Sequence, residues 1–138
     1  MTPEVRAQIV DHCLAGRPEE ACGLLGGTVD GDSAEATVCY PGRNLAASAN
    51  LYELDPKDHL LADRDAESRG LEIVGVFHSH THTEAYPSPT DVARAPDPGW
   101  HYVLVSLRDA EPVVRSFRIV GARITEEPLE TFALTGEI

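Results

Sequence analysis

Two histidines and an aspartate share one short window of this chain. They lie in His78-Ser79-His80-Thr81-His82-Thr83-Glu84-Ala85-Tyr86-Pro87-Ser88-Pro89-Thr90-Asp91. His78 closes the apolar run Ile73-Val74-Gly75-Val76-Phe77, which reads as a central buried strand. Side chains at i and i+2 share a face of extended chain, so the His78 and His80 imidazoles converge on one point. Asp91 follows a loop long enough to return there. Two imidazole nitrogens and one carboxylate leave a fourth tetrahedral position open, as at a catalytic zinc and unlike a closed structural site. The expectation is one Zn²⁺ per chain, although iron or manganese accepts the same donors. His82 continues the alternation, but a fourth ligand would close the site, so it reads as a loop histidine at the mouth. Glu84 reads as solvent-facing or as a substrate contact.

A metal-activated water also needs a base. The candidate is Glu20, in Arg17-Pro18-Glu19-Glu20-Ala21-Cys22-Gly23-Leu24-Leu25-Gly26, a carboxylate at the mouth of an apolar strand. Its neighbour Glu19 competes for the role. Alternation puts the two on opposite faces, so only one points inward. Ser88-Pro89-Thr90-Asp91 has the composition of a helix start, with an N-cap serine, a first-turn proline and an acid near N3. Such a start would turn Asp91 toward the metal.

His78-x-His80, seven residues, then Ser88-x-x-Asp91 resembles the H-x-H-x7-S-x2-D motif of the JAMM (MPN+) metallopeptidases at every fixed position. Glu20-Ala21-Cys22-Gly23 is similar to the segment that carries the family's catalytic glutamate, which selects Glu20 over Glu19. Further likeness runs through Thr83 to Ser88 and through His101-Tyr102-Val103-Leu104-Val105-Ser106, and it resembles the bacterial CysO-cysteine peptidase branch. The resemblance spans Pro18 to about Glu127.

It implies an α/β fold like that of cytidine deaminases, with a mixed β-sheet flanked by helices in a single domain over residues 1–138. It also implies metal ligation by His78, His80 and Asp91, proton transfer by Glu20 and an oxyanion donor in Ser88. The implied substrate is a ubiquitin-like sulfur-carrier protein, cut after its C-terminal glycine to release cysteine in cysteine biosynthesis. A second reading is an isopeptidase that removes ubiquitin-like tags from protein lysines. A third, a non-catalytic MPN scaffold, would have lost ligands that this chain keeps. A zinc deaminase would need H-x-E and P-C-x-x-C elements, which are absent. The H-E-x-x-H of helical metalloproteases is absent too.

The elements that must position these groups follow from pattern. Val5 to Ala15 reads as a helix, with Val5, Ile9, Val10 and Leu14 at helical spacing and Gly16 past its end. Ala21 to Gly27 reads as a buried strand, Val29 to Ser33 as a turn, Ala36 to Tyr40 as a strand and Leu51 to Leu54 as a short one. Asp55 caps a second helix that starts at Pro56, runs to about Arg69 and ends at Gly70. The strand Leu71 to His78 follows, then a loop from Ser79 to Pro87 and a short helix from Ser88 to Ala95. Tyr102 to Leu107 and Val113 to Val120 read as a hairpin, and Ile124 to Leu134 as a last strand. Tyr52, Asn44 and Trp100 are candidates to line a substrate groove. His12, His59 and His101 read as structural or surface residues.

The 138 residues suit one domain. A net charge of −12 argues against a nucleic-acid partner, which needs clustered cations. No run approaches the ~18 apolar residues of a membrane span. The N-terminus lacks the basic and apolar regions of a signal peptide, so the expected location is cytoplasmic. Cys13, Cys22 and Cys39 form no CxxC pair, which suits neither a disulfide framework nor a thiolate metal site. A homodimer stays open, as neither a coiled coil nor an apolar patch announces one.

Overall fold

The computed structural model describes residues 1–130. In chain order the elements are α1 (Pro3–Gly16), β1 (Cys22–Asp30), β2 (Ser33–Gly42), α2 (Pro56–Ser68), β3 (Glu72–His80), α3 (Pro89–Ala93), β4 (His101–Ser106), β5 (Val113–Val120) and β6 (Arg123–Glu127). The strands form one six-stranded sheet in the order β2-β1-β3-β4-β5-β6. β3 and β4 run parallel and every other pair is antiparallel. A parallel pair cannot be joined by a tight turn. The crossover from β3 to β4 therefore leaves the sheet at His80, and it carries α3.

Each face of the sheet has its own core. Val5, Ile9 and Cys13 of α1 pack with Leu25, Val74, Phe77, Val103 and Val105. Ala62 of α2 clusters with Leu24, Val76, Tyr102, Leu104, Phe117 and Ile119 on the other face. Burial on both faces explains why β3 reads as an unbroken apolar run rather than as an alternation. An irregularity sits inside it: Leu25 is level with Gly75 and Gly26 with Ile73, so Val74 is the extra residue of a bulge. Beyond the bulge, Val76, His78 and His80 all point to the α2 face.

The second helix begins where its Asp55 cap predicts, whereas the first begins at Pro3, two residues before the expected Val5, with Thr2 as its cap. The Val5 N–H donates to Thr2 Oγ1 at 3.2 Å, and the Lys57 N–H to Asp55 Oδ1 at 2.9 Å. Gly70 ends the second helix with φ +72°.

Four expectations need correction. The turn at Val29–Ser33 shrinks to Gly31-Asp32, because Asp30 already pairs with Ser33 and Gly31 takes the φ of +63° that a two-residue hairpin loop requires. Leu51–Leu54 is not a strand; only Leu54 makes a single bridge, to Asn44. Ser79 and His80 belong to β3 rather than to a loop, since β4 extends the ladder to His80↔Ser106. The last strand is Arg123–Glu127, and residues 131–134 of the expected span lie outside the described residues.

Candidate metal centre and active site

His78 and His80 occupy the C-terminal end of β3 and are 2% and 5% exposed. Alternation puts both rings on the α2 face, with centroids 5.1 Å apart. Asp91 is brought in by α3, whose start is fixed by a reciprocal cap. The Asp91 N–H donates to Ser88 Oγ at 3.1 Å, while the Ser88 N–H donates to Asp91 Oδ2 at 2.9 Å. Asp91 Oδ2 then lies 3.2 Å from His78 Nε2 and 3.0 Å from His80 Nε2, and the two Nε2 atoms are 3.3 Å apart. Three lone-pair atoms thus form a triangle with edges of 3.0–3.3 Å. Ligand distances of ~2.0–2.1 Å to zinc give a tetrahedral edge of about 3.3–3.4 Å, so the donors fit that ion in chemistry and in spacing. The His80 Nδ1–H donates to the Glu84 carbonyl at 2.9 Å, which leaves Nε2 as the free lone pair.

Glu20 stands two residues before Cys22, which is level with His78 across the β1–β3 ladder, so it reaches the same face beside His80. It is 5% exposed whereas Glu19 is exposed, which settles which of the pair points inward. Its Oε1 is buried without a hydrogen-bond partner. Burial, reinforced by the Asp91 carboxylate and opposed by His80, pushes the Glu20 carboxyl up to about 7. Burial works against the Asp91 charge, yet the adjoining His78 and His80 imidazoles and the Ser88 N–H hold Asp91 well below the usual carboxylate range. Burial lowers His78 despite its bond to Asp91. Burial also pulls on His80, but Asp91 and the Glu84 carbonyl outweigh it and raise that imidazole.

Several supporting groups were not legible as such in the sequence. The Ala21 N–H donates to Ser79 Oγ at 2.9 Å, tying the approach to β1 to the strand between the two histidines. His12 Nε2 reaches the Cys22 and Gly42 carbonyls at 3.1 Å each, a structural role as expected. Cys22 is buried, as its apolar setting predicts. Tyr52 stacks on His78 at 4.4 Å with an interplanar angle of 24°. Beside Asp91 lies a cavity of about 180 Å³, with Tyr52, Trp100, Leu24 and Val76 in its walls and Arg94 and His59 among its polar lining. Tyr52 and Trp100 therefore line a groove, as the sequence reading has it. Asn44 does not, because its amide is bonded to backbone groups of its own loop and of Glu20. His82 and Glu84 are exposed on the loop between His80 and Ser88.

Residues 2–120 match the family described as prokaryotic homologs of the JAB domain. The CysO-cysteine peptidase of Mycobacterium tuberculosis is 42% identical over 130 residues, covering 91% of this chain and 88% of that protein. The desampylase of Haloferax volcanii is 36% identical over 111 residues, covering 77% of this chain and 78% of that one. The solution structure of protein DSY2949 from Desulfitobacterium hafniense superposes with a TM-score of 0.88 at 36% identity, covering 96% of this chain and 91% of that one. The matched span contains the histidine pair, the aspartate and the inward glutamate: this chain belongs to the family of prokaryotic JAB-domain homologs.

Proposed function

We propose that this peptidase is zinc-dependent and cuts after the C-terminal glycine of a ubiquitin-like sulfur-carrier protein to release cysteine. The observation that carries the proposal is the bare, buried Glu20 carboxylate beside the His78–His80–Asp91 triangle. The hydrolase class is supported by the family, and the carrier by the likeness to the CysO-cysteine peptidase.

A zinc ion held by His78, His80 and Asp91 would supply Lewis acidity and a more acidic water. The chain's own groups do the rest. Glu20, buried beside the triangle with an unpartnered Oε1, is placed to take a proton from the attacking water and return it to the leaving amine. Ser88 Oγ accepts the Asp91 N–H, so the hydroxyl proton stays available to donate to the developing oxyanion. The groove between Tyr52 and Trp100 gives the substrate chain a place beside Asp91. The cytosol suits Cys13, Cys22 and Cys39, which are free thiols. No helix among the described residues is long and apolar enough to cross a membrane.

A second reading, removal of ubiquitin-like tags from lysines, is favoured by the likeness to the desampylase. The two differ in leaving group. Intact mass spectrometry of a sulfur-carrier–cysteine adduct, incubated with the protein, separates them. Loss of one cysteine is expected, stopped by a chelator and by Glu20→Gln, with zinc still bound in that variant. Full turnover by Glu20→Gln would overturn its role, and an adduct untouched by zinc-loaded protein would move the substrate to protein conjugates.

A further inference from the structure

The loop from Arg43 to Asp55 connects β2 to α2 with no regular structure beyond a single bridge. Its shape is set largely by one amide. Asn44 Nδ2 donates to the Glu20 carbonyl at 2.9 Å and to the Leu51 carbonyl at 3.0 Å. Asn44 Oδ1 accepts from the Ala46 N–H at 3.0 Å and the Glu53 N–H at 2.8 Å. Two donors and two acceptor sites are all that a side-chain amide has, and each is used.

What these bonds hold matters more than their number. The β1 ladders begin at Cys22, and β3 reaches back only to Ala21, whose N–H donates to Ser79 Oγ at 2.9 Å and whose carbonyl accepts the Ser79 N–H at 3.0 Å. The hydrogen bonds of Glu20's own N–H and carbonyl come from the loop. Its N–H donates to the Ser48 carbonyl at 2.8 Å, and its carbonyl accepts from Asn44. The Glu20 Oε1 has no partner of its own, so the direction of the carboxylate depends on that backbone. The same amide brackets Tyr52 from both sides, through Leu51 and Glu53, and the Tyr52 ring stacks on His78 at 4.4 Å. One side chain is therefore bonded both to the backbone of the general base and to the residues on either side of the ring that covers a metal ligand.

We infer that Asn44 is a positioning residue for the reaction, acting through Glu20 without touching substrate. The inference rests on the reading of Glu20 as the general base. Asn44→Asp keeps an acceptor for Ala46 and Glu53 but loses both donors, and Asn44→Ala loses all four bonds.

The test has two arms. In the first, sulfur-carrier–cysteine turnover is measured for Asn44→Asp, Asn44→Ala, Glu20→Gln and Glu20→Gln/Asn44→Ala, all zinc-loaded. A displaced base costs on the order of 100-fold in rate, so kcat should fall about 10–100-fold with KM within about threefold and zinc stoichiometry unchanged. The double variant should be no slower than Glu20→Gln alone, because a misaimed base that is already absent costs nothing more. Losses that multiply in the double variant, or wild-type kcat in Asn44→Ala, would overturn the inference. In the second arm, which needs no substrate, amide hydrogen exchange of the zinc-loaded protein is followed by NMR. Asn44→Ala should speed exchange at Glu20 and Glu53 at least about tenfold while Leu24 and Val76 keep their protection. Unchanged protection at Glu20 would also overturn it. Should the wild type leave the adduct intact, the substrate reading fails and the exchange arm still decides the role of Asn44.

Discussion

Ser88 combines two functions that mutation can separate. Its Oγ caps α3 through the Asp91 N–H, and its hydroxyl proton is the proposed oxyanion donor. Ser88→Ala removes both, costing about 1 kcal/mol for the cap and ~10²–10³ in rate for the donor. Ser88→Gly costs only a few tenths of a kcal/mol at the cap and carries no donor, so its thermal midpoint should stay near wild type while kcat drops by ~10²–10³. Wild-type kcat in Ser88→Gly would reduce the serine to a cap. Glu20 gives a second prediction, in the metal-free protein. Its carboxyl is raised from an ordinary 4.5 to about 7 by burial. A raised folded value means that stability from this group is full below 4.5 and is lost as pH rises toward about 7. Glutamine does not titrate, so in chelator Glu20→Gln should gain on wild type as pH rises through that window and be the more stable at pH ~8. Urea midpoints at several pH values read this directly, and a difference that is flat with pH would contradict it. The triangle of His78, His80 and Asp91 was legible at this scale because it is local: two alternating histidines and a capped aspartate lie within one stretch of chain. Asn44 and Ser79 were not, because each acts on backbone brought from elsewhere in the sequence.

The elements that were easiest to read carry their own stop and start chemistry. Asp55 caps the second helix and Gly70 ends it, both as the sequence predicts. Strand bounds were harder, because a strand stops where its neighbour stops. Ser79 and His80 look like loop residues until β4 is laid beside them. β3 also carries the element most sensitive to change. Gly75 lies where β3 meets β4, level with His101, and a Cβ there would overlap the His101 carbonyl. The obstacle is backbone in a paired strand, so it cannot rotate away. Gly75→Ala should therefore cost about 3 kcal/mol through overpacking, read as a lower urea midpoint. It should also weaken zinc binding, since three residues on, His78 depends on the path of β3. An alanine variant with wild-type stability and zinc affinity would mean that the two strands part easily, and that the ligand geometry does not depend on their close approach.

At the scale of the whole molecule, pattern fixed the class, a mixed sheet flanked by helices, but not the order of its strands. That order puts β1 between β2 and β3, and it is decided by pairings between distant segments. It has a consequence for the metal. His78, His80 and Glu20 stand on or next to strands buried from both sides by separate apolar clusters, so the scaffold does not need the ion to form. This differs from small zinc modules, in which binding free energy is folding free energy. Zinc should instead act as a ligand of an already folded chain. At a free concentration a thousandfold above Kd, it should add about 4 kcal/mol. Chelation should thus lower the thermal midpoint by on the order of 10 °C, while far-UV circular dichroism below the transition stays unchanged. The destabilisation should be reversed by adding zinc back. Loss of the sheet signal at room temperature on chelation would show that the triangle of His78, His80 and Asp91 is held open by mutual repulsion too strong for the cores to bear, and that the metal is part of the fold.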